Sequence, residues 1–187
     1  HPAWKFDVDT NSVERDTDAA HGGQFYTYIL KQKEKDHNKK IYTKFSPQIQ
    51  TGAFKLIIPL LDQIQNHFPK GMYVHPIRIK CNLRYRRKLA DKTLPHVDKF
   101  QAINSNFFSA VYYLDSSDGN TILFKEFAET SSDIDVTKLN VLAKVKPHRN
   151  RIVIFHSSRV HAGLSPALSD TRRIINLVFE IKLEFIA

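Results

Sequence analysis

The sequence contains a single cysteine, Cys81, so no disulfide can close within the chain and a four-thiolate zinc or iron–sulfur site is excluded. Any metal held by one copy of this chain must be bound through nitrogen and oxygen. Long hydrophobic runs are also missing. The longest, residues 56–61, is interrupted by Pro59 and falls far short of the ~20 apolar residues that span a bilayer. No charged-then-apolar leader opens the chain, which starts at His1, and neither an internal repeat nor a low-complexity tract is present. The expectation is a protein with no membrane association, working in the cytoplasm. Acidic residues are in deficit, 19 against 28 Lys and Arg, for a net charge of +9. That excess favours anionic partners: nucleic acid, an acidic protein, or a small dicarboxylate drawn into a basic cleft. Much of it sits in two runs, residues 31–40 and 84–92, and runs of this kind are more often solvated faces than binding sites.

A chain of 187 residues with 42% hydrophobic content can bury a core as one domain, residues 1–187. Residues 1–70 read as an N-terminal arm and helices, and residues 71–187 as a β-rich core. In the arm, the pairs Trp4/Phe6 and Tyr26/Tyr28 suggest short strands packed on a larger body. Over residues 46–68, Phe54, Ile57, Ile58, Leu61, Ile64 and Phe68 recur at the helical spacing of three and four. Pro59 predicts a kink or two helices meeting there, and Pro69 closes the segment. After Gly71, short β-rich runs follow at 73–85, 107–114, 121–127, 141–146, 151–155 and 172–183. Residues 115–120 form a turn in which Asp and Ser cap bends and Gly supplies positive φ. The expected fold is mainly β: a double-stranded β-helix, or jelly roll, with an N-terminal supporting helix or helices.

Three pieces of this pattern carry chemistry. In Leu94-Pro95-His96-Val97-Asp98 an extended backbone points His96 and Asp98 to the same side, where one divalent metal can take both. By itself His-x-Asp is a weak signal. The strand at 151–155 then delivers His161 at its far end, giving two histidines and one carboxylate, a set that leaves open positions on non-haem iron(II) and also serves hydrolytic zinc. Eleven residues beyond His161 the last strand opens with Arg172-Arg173. Strand alternation turns one of these arginines inward, and a buried guanidinium calls for a carboxylate beside the metal.

Taken in order, these residues resemble the 2-oxoglutarate and iron(II)-dependent dioxygenases, in particular the prolyl-4-hydroxylase-like branch and its small phage and bacterial members. The resemblance covers residues 77–179. It rests on the strand Arg78-Ile79-Lys80-Cys81-Asn82-Leu83, on His96-x-Asp98, on Val111-Tyr112-Tyr113-Leu114-Asp115, and on Asp118-Gly119-Asn120-Thr121-Ile122-Leu123-Phe124. Phe155-x-Ser157 with His161, and Arg172-x-x-x-Asn176, complete it. It implies Fe(II) on His96, Asp98 and His161. It implies 2-oxoglutarate with its distal carboxylate on Arg172, helped by the Tyr113 hydroxyl. Asn176 takes the place of the family's small polar residue four positions after the arginine, while Asn82 and Tyr85 are further candidates for cofactor contacts. Two departures stand out: Asp118-Gly119-Asn120-Thr121 where members often carry Gly-Gly-Glu-Thr, and His156 where a proline is common. His156 reads as structural rather than as a ligand.

The activity implied is hydroxylation of an unactivated C–H bond with dioxygen, releasing succinate and CO2, with ascorbate as a supporting reductant. An amino-acid side chain, prolyl above all, free or within a peptide or protein, is the leading substrate class. The implied location is the cytoplasm, including that of a phage-infected host. A nucleic-acid substrate is disfavoured, because base-repairing relatives carry a second arginine six residues after the first, where this chain has Val178 and Phe179. A zinc hydrolase would not need the arginine, and a non-enzymatic jelly-roll binding or structural module would not need the metal triad.

Overall fold

The computed structural model describes residues 5–7, 24–32, 47–87, 94–98 and 106–183. Strands β1 (Lys5–Asp7), β2 (Gln24–Gln32), β3 (Pro47–Gln50) and β4 (Met72–Tyr85) come first. They are followed by β5 (Phe107–Tyr113), β6 (Thr121–Phe127), β7 (Val141–Val145), β8 (Ile152–His156), β9 (Arg159–Gly163) and β10 (Thr171–Leu183). The larger sheet runs β1-β2-β4-β10-β5-β8 with β3 attached to β2, and the smaller runs β7-β6-β9. Every pairing is antiparallel. This is the jelly-roll arrangement, and the arm adds three strands, β1, β2 and β3, to its larger sheet through β2 on β4.

The two faces of the larger sheet are set by period-two alternation. On β10, Ile175, Leu177, Phe179 and Ile181 point one way into an apolar cluster. Arg172, Ile174, Asn176 and Val178 point the other way, towards the smaller sheet. The first face is covered by helix α1 (Ile58–Gln65) and the 3₁₀ turn Gly52–Leu56 before it. Ile57 and Ile64 are buried there and Phe54, Leu60, Leu61 and Phe68 pack around them. Full burial of one such side chain contributes roughly 1.5–3 kcal/mol. Gln65 pins the helix end to β4 by donating to the Met72 carbonyl at 2.8 Å and accepting from the Val74 amide at 2.7 Å.

The helical segment is shorter than its apolar spacing predicts, because Pro47–Gln50 is a strand. Two helical pieces do meet at Ile57, with Pro59 in the first turn of α1, where its missing N–H costs nothing. Ile58 leaves the predicted stripe and is exposed. Trp4 lies outside the described residues.

The smaller sheet buries Ile122, Phe124, Val160 and Ala162 under the connection 128–139, and Val97 joins this cluster from the segment 94–98. Its inner face presents Leu123, which meets Val111, Tyr113, Phe155 and Ile174 from the larger sheet. The gap between the sheets is therefore apolar in its middle and polar at both ends. No helix among the described residues is long and apolar enough to cross a membrane.

Candidate active site

At one end of the gap, residues 94–98 run along β9 as a single antiparallel bridge, His96 opposite His161, with both amide-to-carbonyl bonds at 2.9 Å. Val97 turns outward into its cluster, so His96 and Asp98 face inward. The two imidazole rings lie 4.3 Å apart and His161 also meets the Phe155 ring at 4.8 Å. His96 Nδ1 lies 2.9 Å from the Leu94 carbonyl and His161 Nδ1 lies 3.0 Å from the Arg159 carbonyl. A carbonyl only accepts, so both Nδ1 atoms carry the proton and both Nε2 lone pairs are left for a metal. Burial, then the neighbouring His161, lowers the His96 pKa to about 3, so it is a neutral ligand that releases no proton on binding.

Asp98 is oriented by residues that the sequence motif does not reveal. Arg78, from β4, forms a salt bridge to Oδ1, and the Ser109 hydroxyl, from β5, donates to Oδ2 at 2.7 Å. Burial alone would raise this carboxyl. Arg78, then His161, His96 and the Ser109 bond outweigh it and hold the group well below the usual carboxylate range. Asp98 Oδ2 is 3.7 Å from His161 Nε2. Donors each about 2.1 Å from one ion lie roughly 3–4 Å apart, so the spacing of this pair, with the N,N,O chemistry of the three residues, fits a divalent metal. Among the described residues no three His, Cys, Asp or Glu side chains are drawn together closely enough to form a metal cage.

At the other end, Arg172 is 3% exposed while Arg173 points out to solvent and pairs with Asp115 at 2.7 Å. Arg172 Nη2 donates to the Thr121 hydroxyl at 2.8 Å, and the Tyr113 hydroxyl donates to the same oxygen at 2.7 Å. Tyr113 is fully buried, with the Arg172 guanidinium carbon 5.9 Å from its ring centre. No carboxylate among the described residues lies within ion-pair distance of Arg172, and its Nε has no hydrogen-bond partner there. Burial pushes the Arg172 pKa down, as expected of a cation lacking a counter-ion.

Asn82 on β4 and Asn176 on β10 share this inner face, each with a buried Oδ1 that has no partner among the described residues. Tyr85 does not join them. It is three residues from Asn82, so alternation puts it on the opposite face, where it is 56% exposed. His156 also turns away from the metal end, standing edge-on to Phe108 and Phe127.

The connection 164–170 that leads into Arg172 is fastened by Asp118. Its carboxylate accepts from the amides of Ala167, Leu168 and Ser169 at 2.8, 2.9 and 2.9 Å. Burial pulls this carboxyl up, but the three amides prevail and hold it well below the usual range. Since the folded group titrates below the unfolded one, its contribution is complete at neutral pH and fades as the pH drops below about 4. Asp118→Ala is expected to lower the unfolding free energy by about 1–2 kcal/mol at pH 7. Urea denaturation checks this, and the difference from wild type should shrink when the series is repeated in acid.

A family model described as the 2OG-Fe(II) oxygenase superfamily matches residues 83–180, just over half of the chain. No curated protein sequence matches. Among solved structures, an oxidoreductase of the 2OG-Fe(II) oxygenase family from Burkholderia pseudomallei superposes with a TM-score of 0.57 at 11% identity, over 97% of this chain and 73% of that one. A prolyl hydroxylase in complex with a hypoxia inducible factor oxygen degradation domain peptide fragment, from Trichoplax adhaerens, gives 0.53 at 14% identity, over 92% and 70%. These likenesses agree in fold, and the family match adds the use of Fe(II) and 2-oxoglutarate: the chain belongs to the 2OG-Fe(II) oxygenase superfamily.

Proposed function

We propose that this oxygenase hydroxylates an amino-acid side chain, prolyl above all and peptide-bound or free, with His96, Asp98 and His161 holding the iron and Arg172 the distal carboxylate of 2-oxoglutarate. The observation that carries the reading is Arg172, a buried cation whose hydrogen-bond partners among the described residues are side-chain hydroxyls rather than a carboxylate, at the end of the gap opposite the three candidate ligands. Gly163, which the Arg172 guanidinium flanks, follows His161 by two residues on β9. That step is roughly 7 Å of strand, a distance a five-carbon dicarboxylate can bridge.

Iron with 2-oxoglutarate and dioxygen supplies the oxidant for a C–H bond, with succinate and CO2 as co-products. This chain's residues do the rest. His96 and His161 offer their Nε2 nitrogens, the rings oriented by their carbonyl bonds, and Asp98 offers Oδ2 while Arg78 keeps Oδ1. Thr121 and Tyr113 set the Arg172 fork, and Val111, Leu123, Phe155 and Ile174 keep water from the gap. The peptide bound by the Trichoplax prolyl hydroxylase supports a peptide or amino-acid substrate over nucleic acid. Val178 and Phe179, where a base-repair arginine would stand, are fully buried. Of the two loops that would flank a nucleic-acid backbone, 86–93 and 99–106, residues 88–93 and 99–105 lie outside the described residues.

The test is succinate formation from 2-oxoglutarate by purified protein with Fe(II) and ascorbate, without a prime substrate. Slow oxygen-dependent turnover that His161→Ala abolishes is expected, and a prolyl peptide should accelerate it. Turnover that survives His161→Ala would remove the assigned triad.

A further inference from the structure

Arg84 stands directly across from Arg172 in the β4–β10 register, and each is 3% exposed. Both side chains turn to the inner face, between Leu83 and Tyr85 on β4 and between Thr171 and Arg173 on β10. They converge on Gly163. Arg84 Nη1 donates to its carbonyl at 3.3 Å, and a Cβ placed on that glycine would lie 3.4 and 3.7 Å from the two terminal nitrogens of Arg172. Like charges opposite one another on a sheet face repel, and the repulsion is stronger away from water. Two guanidiniums held together in this way suit an anion. A carboxylate has about four lone-pair positions, enough for a fork from one arginine and a further N–H from the other.

Resting on the cosubstrate reading above, we propose that Arg84 is a second guanidinium of the distal-carboxylate subsite, gripping the far end of 2-oxoglutarate together with Arg172. Arg84 then sets specificity for a 2-oxo acid that ends in a carboxylate. Its bond to Gly163 ties that grip to β9, the strand that also carries His161.

Anaerobic calorimetric titration of Mn(II)-loaded protein with two probes tests this. 2-Oxoglutarate reaches both ends of the gap, whereas oxalate carries the same charge and a chelating end but cannot reach Arg84. In Arg84→Gln, 2-oxoglutarate should bind about 10- to 100-fold more weakly, the loss of one charge-assisted contact, while oxalate stays within about twofold. Arg84→Lys keeps the charge without the fork and should fall between, which secures the test if the glutamine variant does not fold. Arg172→Gln is the comparator and should show the same selective loss. Variants of Arg84 that bind both probes like wild type would leave Arg172 alone in the subsite and overturn the proposal. Equal weakening of both probes would overturn it too, reducing Arg84 to a support for β9. A wild-type protein that binds oxalate and not 2-oxoglutarate would bring down the cosubstrate reading itself, and this inference with it.

Discussion

Asp98→Ala is expected to abolish metal binding and to lower the unfolding free energy by about 2–4 kcal/mol, more than the loss of a metal ligand alone would cause. The reason is Arg78. Its guanidinium reaches from β4 into the gap and forms its salt bridge with Asp98, both side chains being largely screened from solvent. Removing the carboxylate strands that cation and also leaves the Ser109 hydroxyl without its acceptor. Removing both charges should be far gentler, because a buried ion pair replaced by apolar groups of similar volume is often neutral. The double variant Asp98→Ala, Arg78→Met should thus recover most of the stability while still failing to bind metal. Urea denaturation and Mn(II) titration of the single and double variants separate the two effects. A single variant as stable as wild type would mean that Arg78 finds water or another acceptor once Asp98 is gone.

That coupling was not legible in the sequence, and the reason is physical. Period-two alternation is a local signal, so the strand expected at 121–127 is β6 to the residue, and 73–85 is β4 less one residue. Which strands pair, and in what register, is decided by contacts far apart in sequence. Arg78 and Ser109 reach Asp98 across 20 and 11 positions, and Thr121 reaches Arg172 across 51. No spacing rule names such partners. Arg84 shows the same limit from the other side. It opens a basic run that reads as solvated surface, yet alternation beside Leu83 and Tyr85 puts it inside, while Arg86 in the same run is exposed. Tyr85 had the converse fate, since nearness in sequence to Asn82 says nothing about sharing its face. The inward turn of one arginine of the Arg172-Arg173 pair, by contrast, needed only alternation to foresee.

Gly119 was expected to serve a turn through positive φ, but among the described residues only Gly71 and Asn150 adopt one. What Gly119 provides is room. A Cβ there would lie 2.6 Å from the Leu164 carbonyl oxygen and 2.8 Å from Arg172 Cδ. Contacts that short force something to move, and Leu164 O is itself bound by backbone placement, its residue's amide donating to Asn120 at 2.8 Å. Arg172 cannot yield freely either, because Thr121 holds its fork. Gly119→Ala is therefore expected to cost about 1–3 kcal/mol of stability, the usual penalty for overpacking a well-filled interior. It should also weaken 2-oxoglutarate binding by displacing the guanidinium, while leaving the metal end, and so the affinity for Mn(II), untouched. Gly52→Ala is the control, since nothing lies within 4 Å of a Cβ at that position. Denaturation midpoints together with Mn(II) and 2-oxoglutarate titrations check all of this. If Gly119→Ala were as stable as Gly52→Ala and bound 2-oxoglutarate like wild type, the close approach between the 115–120 turn and Arg172 would have to be relaxed in solution, and Arg172 would owe its position to Thr121 and Tyr113 alone.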